Sequence, residues 1–116
     1  ENIINNHMVL DIGEQTSKLI SDQIIKYRSV LWNGPLGAFE YKPFEKSSVK
    51  VANTIKKYSK KLKINTIAGG GDTLAVINLA KAQEGFNYLS NAGGAFLEWL
   101  EGNKSPGVLA LENNNI

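Results

Sequence analysis

The chain has no cysteine, which excludes a disulfide framework and any thiolate metal site and fits a reducing compartment. Its one histidine, His7, has no nucleophile or ligand set close to it in sequence and reads as a surface or turn residue. No nucleophilic triad or metal-ligand cluster can be assembled, so covalent catalysis by this chain is not expected. No stretch approaches the ~20 apolar residues of a membrane span, and residues 1–12 lack the basic start and apolar core of a secretory leader. Neither charge sign dominates: 13 basic residues face 11 acidic ones, for a net charge of +2. The one basic cluster, Lys56, Lys57, Lys60, Lys61 and Lys63, has a single aromatic neighbour, Tyr58. It reads as the solvated face of a helix rather than a phosphate-binding patch, and without interleaved stacking residues nucleic acid is not an expected partner. Two phosphate-binding signatures are also missing. No Gly-Lys-Ser/Thr follows a glycine turn, and Gly69, Gly70 and Gly71 are contiguous where a dinucleotide site would need G-x-G-x-x-G.

What is present is an ordinary globular composition, 42% apolar and 21% charged over 116 residues, enough for one modest domain. Strand and helix signals alternate along it. Residues 8–12 form a short apolar run that reads as a buried strand ending at Gly13. Over residues 15–26, Leu19, Ile20 and Ile24, with Tyr27 beyond, share one helical face. Residues 29–32 form the next apolar run, broken at Asn33, Gly34 and Pro35. Pro43 suits the first turn of a helix, where a missing N–H costs nothing. Phe44, Ser48, Val51, Ile55, Tyr58 and Leu62 then recur at spacings of four and three. Residues 64–68 form a third strand, stopped by three glycines. Asp72 can cap the following helix, whose buried positions include Leu74, Ile77 and Ala80. Residues 86–90 form a fourth strand, followed by a short helix carrying Phe96, Leu97 and Leu100 and ended by Gly102. Alternating strands and helices imply an α/β fold: a parallel sheet of about four strands with flanking helices, Rossmann-like and three-layered, since parallel neighbours need crossover connections. No linker or internal repeat interrupts it. The first strand begins so near residue 1 that the chain is expected to start within a sheet.

In such a sheet the turns that follow the strands share one rim, and ligands bind there. The unusual residues of this sequence fall in those turns: Asn33, Gly34, Pro35, Gly37 and Glu40; then Gly69, Gly70, Gly71, Asp72 and Thr73; then Asn91, Gly93 and Gly94. Glycines let a backbone come close to a phosphate, and a helix that starts directly afterwards aims free N–H groups at the anion. Helix starts at Asp72 and Gly94 could hold one phosphoryl group between them. Taken singly, each glycine turn could be no more than a tight turn; the three together argue for anion binding. Asp72 is open to two readings, a plain N-cap or a ligand to Mg²⁺ whose shell is completed by phosphates. Glu40 could accept hydrogen bonds from ribose hydroxyls or be a surface charge.

These residues resemble a known family. Leu31, Trp32, Asn33, Gly34, Pro35, Leu36, Gly37, Ala38, Phe39 and Glu40 resemble the tryptophan-containing nucleotide turn of phosphoglycerate kinases. Gly69, Gly70, Gly71, Asp72 and Thr73 resemble their magnesium-nucleotide turn. Residues 90–102, with Pro106, Gly107 and Val108 after them, resemble the last glycine turn and helix. Asp11, Ile12 and Gly13, and residues 41–52, also follow the family pattern. The resemblance implies that residues 1–116 are a C-terminal portion of the nucleotide-binding domain, about the last third of a two-domain cytoplasmic enzyme of glycolysis whose N-terminal substrate domain is absent here. That enzyme moves a phosphoryl group between 1,3-bisphosphoglycerate and ADP, giving 3-phosphoglycerate and ATP, with Mg²⁺. It further implies that Asn33, Pro35 and Gly37 line the nucleotide cleft and that Glu40 meets the ribose. Gly70, Gly71, Asp72 and Thr73 would contact phosphates, Asp72 near the metal, and Gly93 and Gly94 would face the phosphoryl group in flight as catalytic backbone. Asn91 departs from the threonine usual in the last turn, and Ala92 and Phe96 stand where glycine and serine are common. The triose substrates would be bound through the absent domain, so the chain alone is expected to lack kinase activity and to associate with itself or with the segment it lacks. A nucleotide-binding module without catalysis, such as a decayed gene product, is the alternative. An unrelated dinucleotide-dependent α/β protein is disfavoured by the contiguous glycines.

Overall fold

The computed structural model describes residues 7–91. Its elements run α1 (Glu14–Ile24), β1 (Ser29–Asn33), α2 (Lys46–Tyr58), β2 (Asn65–Gly69), α3 (Gly71–Leu79), a 3-10 turn (Gln83–Gly85) and β3 (Tyr88–Ser90). The three strands form one parallel sheet in the order β1-β2-β3, so the α/β expectation holds. Three strands are found among the described residues where about four were expected, because residues 8–12 pair with no strand there. They lie instead against the turn that follows β1, where the Leu10 carbonyl accepts a hydrogen bond from the Ala38 N–H at 2.7 Å. An apolar run becomes a strand only when another strand lies alongside it, and the exposed Met8 and Val9 lack that neighbour.

Alternation of side chains along each strand divides the sheet into two faces. Trp32 and Ala68 point to the face covered by helices, where they pack with Val51, Ala52 and Ile55 of α2, Val76 and Ile77 of α3, and Ile24 of α1. Phe86 closes one end, its ring tilted against Trp32 with centroids 6.3 Å apart. Ile55, Val76 and Ile77 are fully buried, and each contributes about 1.5–3 kcal/mol on burial. Across the other face Leu31, Ile67 and Tyr88 stand in register, with Leu31 46% and Tyr88 43% exposed.

The helices depart from expectation mainly at their ends. α2 begins at Lys46, three residues after Pro43, which sits in a turn with a cis Lys42–Pro43 bond. Ser48, Val51 and Ile55 are buried as their spacing requires, but the helix ends at Tyr58, and Leu62 beyond it is 49% exposed. On α1, Ile24 is buried while Leu19 and Tyr27 are exposed. Asp72 does not cap α3: the N-cap is Gly70, and Asp72 is the second helical residue. With φ at +98°, Gly70 turns the chain from strand into helix in a single residue, leaving no place for a side-chain cap. The lysine cluster does not form a helical face as expected: Lys56 and Lys57 lie on α2, with Lys57 over the Tyr58 ring and Lys56 3.8 Å from Glu84, while Lys60, Lys61 and Lys63 are exposed in the turn beyond the helix end. At the sheet end away from the rim the Gly85 carbonyl accepts hydrogen bonds from the hydroxyls of Ser59 and Thr66 at 2.8 and 2.7 Å, satisfying polar groups that burial would otherwise penalise. No helix among the described residues is long and apolar enough to cross a membrane.

Candidate functional site

Parallel register brings the three strand ends level: Asn33 stands opposite Gly69, and Gly69 opposite Ser90. The first two predicted turns therefore lie side by side on one rim, and the third begins there at Asn91. Gly93 and Gly94 lie outside the described residues.

The turn after β1 is fastened at each step. Gly34 has φ at +106° with open space around it, so its dihedral, not crowding, calls for glycine. Its N–H donates to Thr73 Oγ1 at 2.7 Å, and its carbonyl accepts the Trp32 indole N–H. Leu36 N–H donates to Ser48 Oγ at 2.9 Å. Gly37 is needed for a different reason: a Cβ there would stand 2.8 Å from the Leu10 carbonyl and closer still to the Asp11 carboxylate. The space a side chain would fill at Gly37 is thus taken by the protein's own residues. Asp11 in turn accepts hydrogen bonds from the backbone N–H of Ser47 at 3.2 Å, from the Ser47 hydroxyl and from Ile12 N–H at 2.8 Å. Ser47 is the second residue of α2, so Asp11 caps that helix from far upstream.

The turn after β2 is a single residue. Gly70 N–H donates to the Ser90 carbonyl at 2.9 Å, tying this turn to the end of β3. A Cβ on Gly70 would lie 3.3 Å from Asn33 Oδ1 and 3.6 Å from Thr73 Oγ1, so Asn33, Gly70 and Thr73 converge. The first intrahelical bond of α3 is Leu74 N–H to the Gly70 carbonyl at 3.0 Å. The N–H groups of Gly71, Asp72 and Thr73 precede it and have no intrahelical acceptor. Together with the dipole of α3 they suit an anion. Gly71 and Asp72 are exposed, and no side-chain atom would stand within 4 Å of a Cβ at Gly71, so the approach is open. Thr73 is 1% exposed, and its hydroxyl oxygen is already engaged by Gly34.

Among the described residues no group of three or more acidic, His or Cys side chains could hold a metal alone. A single exposed carboxylate beside free helix-start amides fits Mg²⁺, which takes one or two carboxylates and completes its shell with phosphate and water. Pro35 is half-buried in the first turn, and Glu40 is exposed at its end. Glu40 and Phe39 also border a broad groove over α1 and α2 that includes Ser21, Glu45 and Val49; this groove lies along the helices, not over the strand ends.

The rim thus joins Asn33, Gly70, Asp72 and Thr73, with Pro35 and Gly37 on the adjoining turn. The sequence did not single out Ser47 or Ser48 as fasteners, nor the part Asp11 plays with them. Ser48 carried a signal, a polar residue within an otherwise apolar helical stripe. Asp11 carried none beyond its place in the family pattern, because nothing local marks a cap supplied from another segment.

Comparisons with known proteins agree with this architecture. The family profile described as phosphoglycerate kinase matches residues 1–103. A phosphoglycerate kinase of Brucella melitensis is 46% identical over 112 residues, covering 97% of this chain and 28% of its own length. One from Cereibacter sphaeroides is 48% identical over 104 residues, covering 90% of this chain and 26% of its own. The solved structure of phosphoglycerate kinase from Coxiella burnetii superposes with a TM-score of 0.80 at 32% identity, over 98% of this chain and 28% of that one. The chain therefore spans little more than a quarter of the length of these relatives. With the profile matched over nearly its whole length, the chain belongs to the phosphoglycerate kinase family.

Proposed function

We propose that this chain supplies the nucleotide and phosphoryl-transfer turns of a cytoplasmic phosphoglycerate kinase, as the C-terminal portion of its nucleotide-binding domain. The reaction is transfer of a phosphoryl group between 1,3-bisphosphoglycerate and ADP, giving 3-phosphoglycerate and ATP in glycolysis. The observation that carries this reading is the pair of adjoining rim turns, in which Gly70, at the open start of α3 that carries the exposed Asp72, lies beside Asn33 and the helix start is locked to the first turn by the Gly34–Thr73 hydrogen bond. In it Glu40 accepts from the ribose hydroxyls, while Asn33, Pro35 and Gly37 form the nucleotide cleft. The N–H groups of Gly71, Asp72 and Thr73 receive the phosphates, Gly70 lets the backbone pass close to them while its own N–H is held by Ser90, and Asp72 orients Mg²⁺ on them. Mg²⁺, when bound, supplies positive charge that offsets the negative charge of the phosphate oxygens. Gly93 and Gly94 face the moving phosphoryl group. No protein nucleophile is required, since such transfer proceeds by positioning and electrostatic stabilisation.

The triose substrate would be held by an N-terminal domain beyond this chain, and closure of two domains would exclude water. On its own the chain then binds nucleotide without turning over. The test is calorimetric titration of Mg-ADP into residues 1–116 and into Asp72→Ala, with a coupled ATP-forming assay on the same samples. Saturable binding that weakens about tenfold or more in Asp72→Ala, the loss of a charged contact, together with a silent assay, is the expected result. A folded chain that binds Mg-ADP and Asp72→Ala equally would remove Asp72 from the site.

A further inference from the structure

We propose that Asp11 is a positioning residue for the nucleoside end of the site, acting through the turn after β1 without touching the ligand. The inference rests on the functional reading above, in which residues 33–40 hold the nucleoside. Residues 10–12 lie between that turn and the start of α2, and they grip both. Towards the turn, the Leu10 carbonyl accepts from Ala38 N–H at 2.7 Å, and the Asp11 carboxylate walls the space beside Gly37. Towards the helix, Asp11 accepts from the Ser47 N–H and hydroxyl, while Ile12 N–H secures the carboxylate from its own strand of chain.

The chemistry at Asp11 calls for a carboxylate. Its three partners are all donors, two on Oδ1 and one on Oδ2, and an ionised carboxylate presents acceptors on both oxygens. Its charge also suits the positive end of α2. An asparagine can keep one oxygen in place, but its NH₂ would then face the Ser47 N–H, donor against donor. The turn would lose its fixed spacing from α2 at Gly37, between Pro35 and Glu40. The hydrogen bonds of Asp11 go to Ile12 and Ser47, whereas the start of α3 is held by Gly70 N–H on Ser90 and by the Gly34–Thr73 bond. Asp11 therefore acts directly on the nucleoside end, beside Gly37, and reaches the phosphate end only through the Gly34–Thr73 bond at the far side of the turn.

That separation gives the test. In the full chain of residues 1–116 carrying Trp99→Phe, Trp32 is the sole tryptophan, and its indole N–H is bonded to the Gly34 carbonyl within the turn. Asp11→Asn is expected to make Trp32 more accessible to acrylamide in the absence of any ligand. It is also expected to raise the Kd for Mg-ADP about tenfold, as for loss of a charge-assisted bond, while the Kd for Mg-pyrophosphate stays within about twofold. General destabilisation would weaken both ligands together, and that result, or no change in either, would overturn the proposal. If Asp11→Asn fails to give a folded circular dichroism spectrum, Ser47→Ala removes only the hydroxyl's bond. It should show the same split with smaller amplitude; an unaltered profile in that variant would overturn the proposal as well. Should the parent chain bind no Mg-ADP, the functional reading fails, and Trp32 accessibility alone decides the role of Asp11: unchanged quenching would refute it.

Discussion

Thr73 shows how much of this site is held by single atoms. It is buried at the second turn of the rim, and its Oγ1 is the acceptor for the N–H of Gly34, 39 residues earlier. Thr73→Val keeps the shape and removes the acceptor, leaving a part-buried N–H unpaired, which costs about 1–3 kcal/mol. A lowered midpoint in urea, with Thr73→Ser restoring most of the loss, is the expected result; an unshifted Thr73→Val would show that the bond contributes nothing. The sequence marked Thr73 through its family motif, as a phosphate contact, and could not have marked this second use. Which backbone N–H lies opposite a hydroxyl is decided by the register of two strands, and residues 34 and 73 carry no local sign of it. The same holds for Asp11, whose partner Ser47 lies 36 residues downstream. Gly34 and Gly70 were more legible, since positive φ at the end of a strand is a local demand that glycine meets.

Elements were readable where a period sustains itself. The stripe through Ser48, Val51 and Ile55 located α2, and the apolar runs located β1, β2 and β3. Ends were less readable, because caps come from elsewhere: α2 waits for Asp11 rather than starting at Pro43, and α3 starts on a glycine with no side-chain cap. The contact between the 3-10 turn and α2 was not legible at all. Gly85 lies so close to that helix that a Cβ would stand 2.6 Å from Lys56 Cα and 2.8 Å from its N. Backbone on both sides leaves nothing free to move aside, so Gly85→Ala is expected to cost about 1–3 kcal/mol, the range for overpacking. Gly71→Ala, with open space at its Cβ, is the control and should fall within about 0.5 kcal/mol of the parent. Denaturant melts of the two variants compare them directly, and equal losses would contradict the close approach at Gly85.

At the scale of the whole molecule the sheet is finished on one face only among the described residues. The row Leu31, Ile67 and Tyr88 runs across the other, close to exposed apolar surface of the kind that marks interfaces. The chain of residues 1–116 is therefore expected to self-associate as its concentration rises, and Leu31→Lys to reduce this, by charge on the exposed face. Sedimentation velocity over a concentration series tests it; a parent chain that stays monomeric throughout would refute the expectation. The parallel α/β architecture was legible from alternating signals alone. The number of strands was not, because an apolar run such as residues 8–12 does not say whether another strand lies beside it.

The bonds that hold the rim also bear on how the molecule comes together. Gly34 reaches Thr73 across 39 residues and Asp11 reaches Ser47 across 36, so the chain between the ends of each bond, holding the crossover helix α2 in the first case and α1 with β1 in the second, must fold back before the bond can close. Loop closure must be met before such distant contacts return anything. Helical turns in α2 and α3 need no such closure and form within their own segments. Assembly is therefore expected to place the core before the rim. Until the last crossover has docked, a chain with native helices still lacks the fixed geometry its ligand would require.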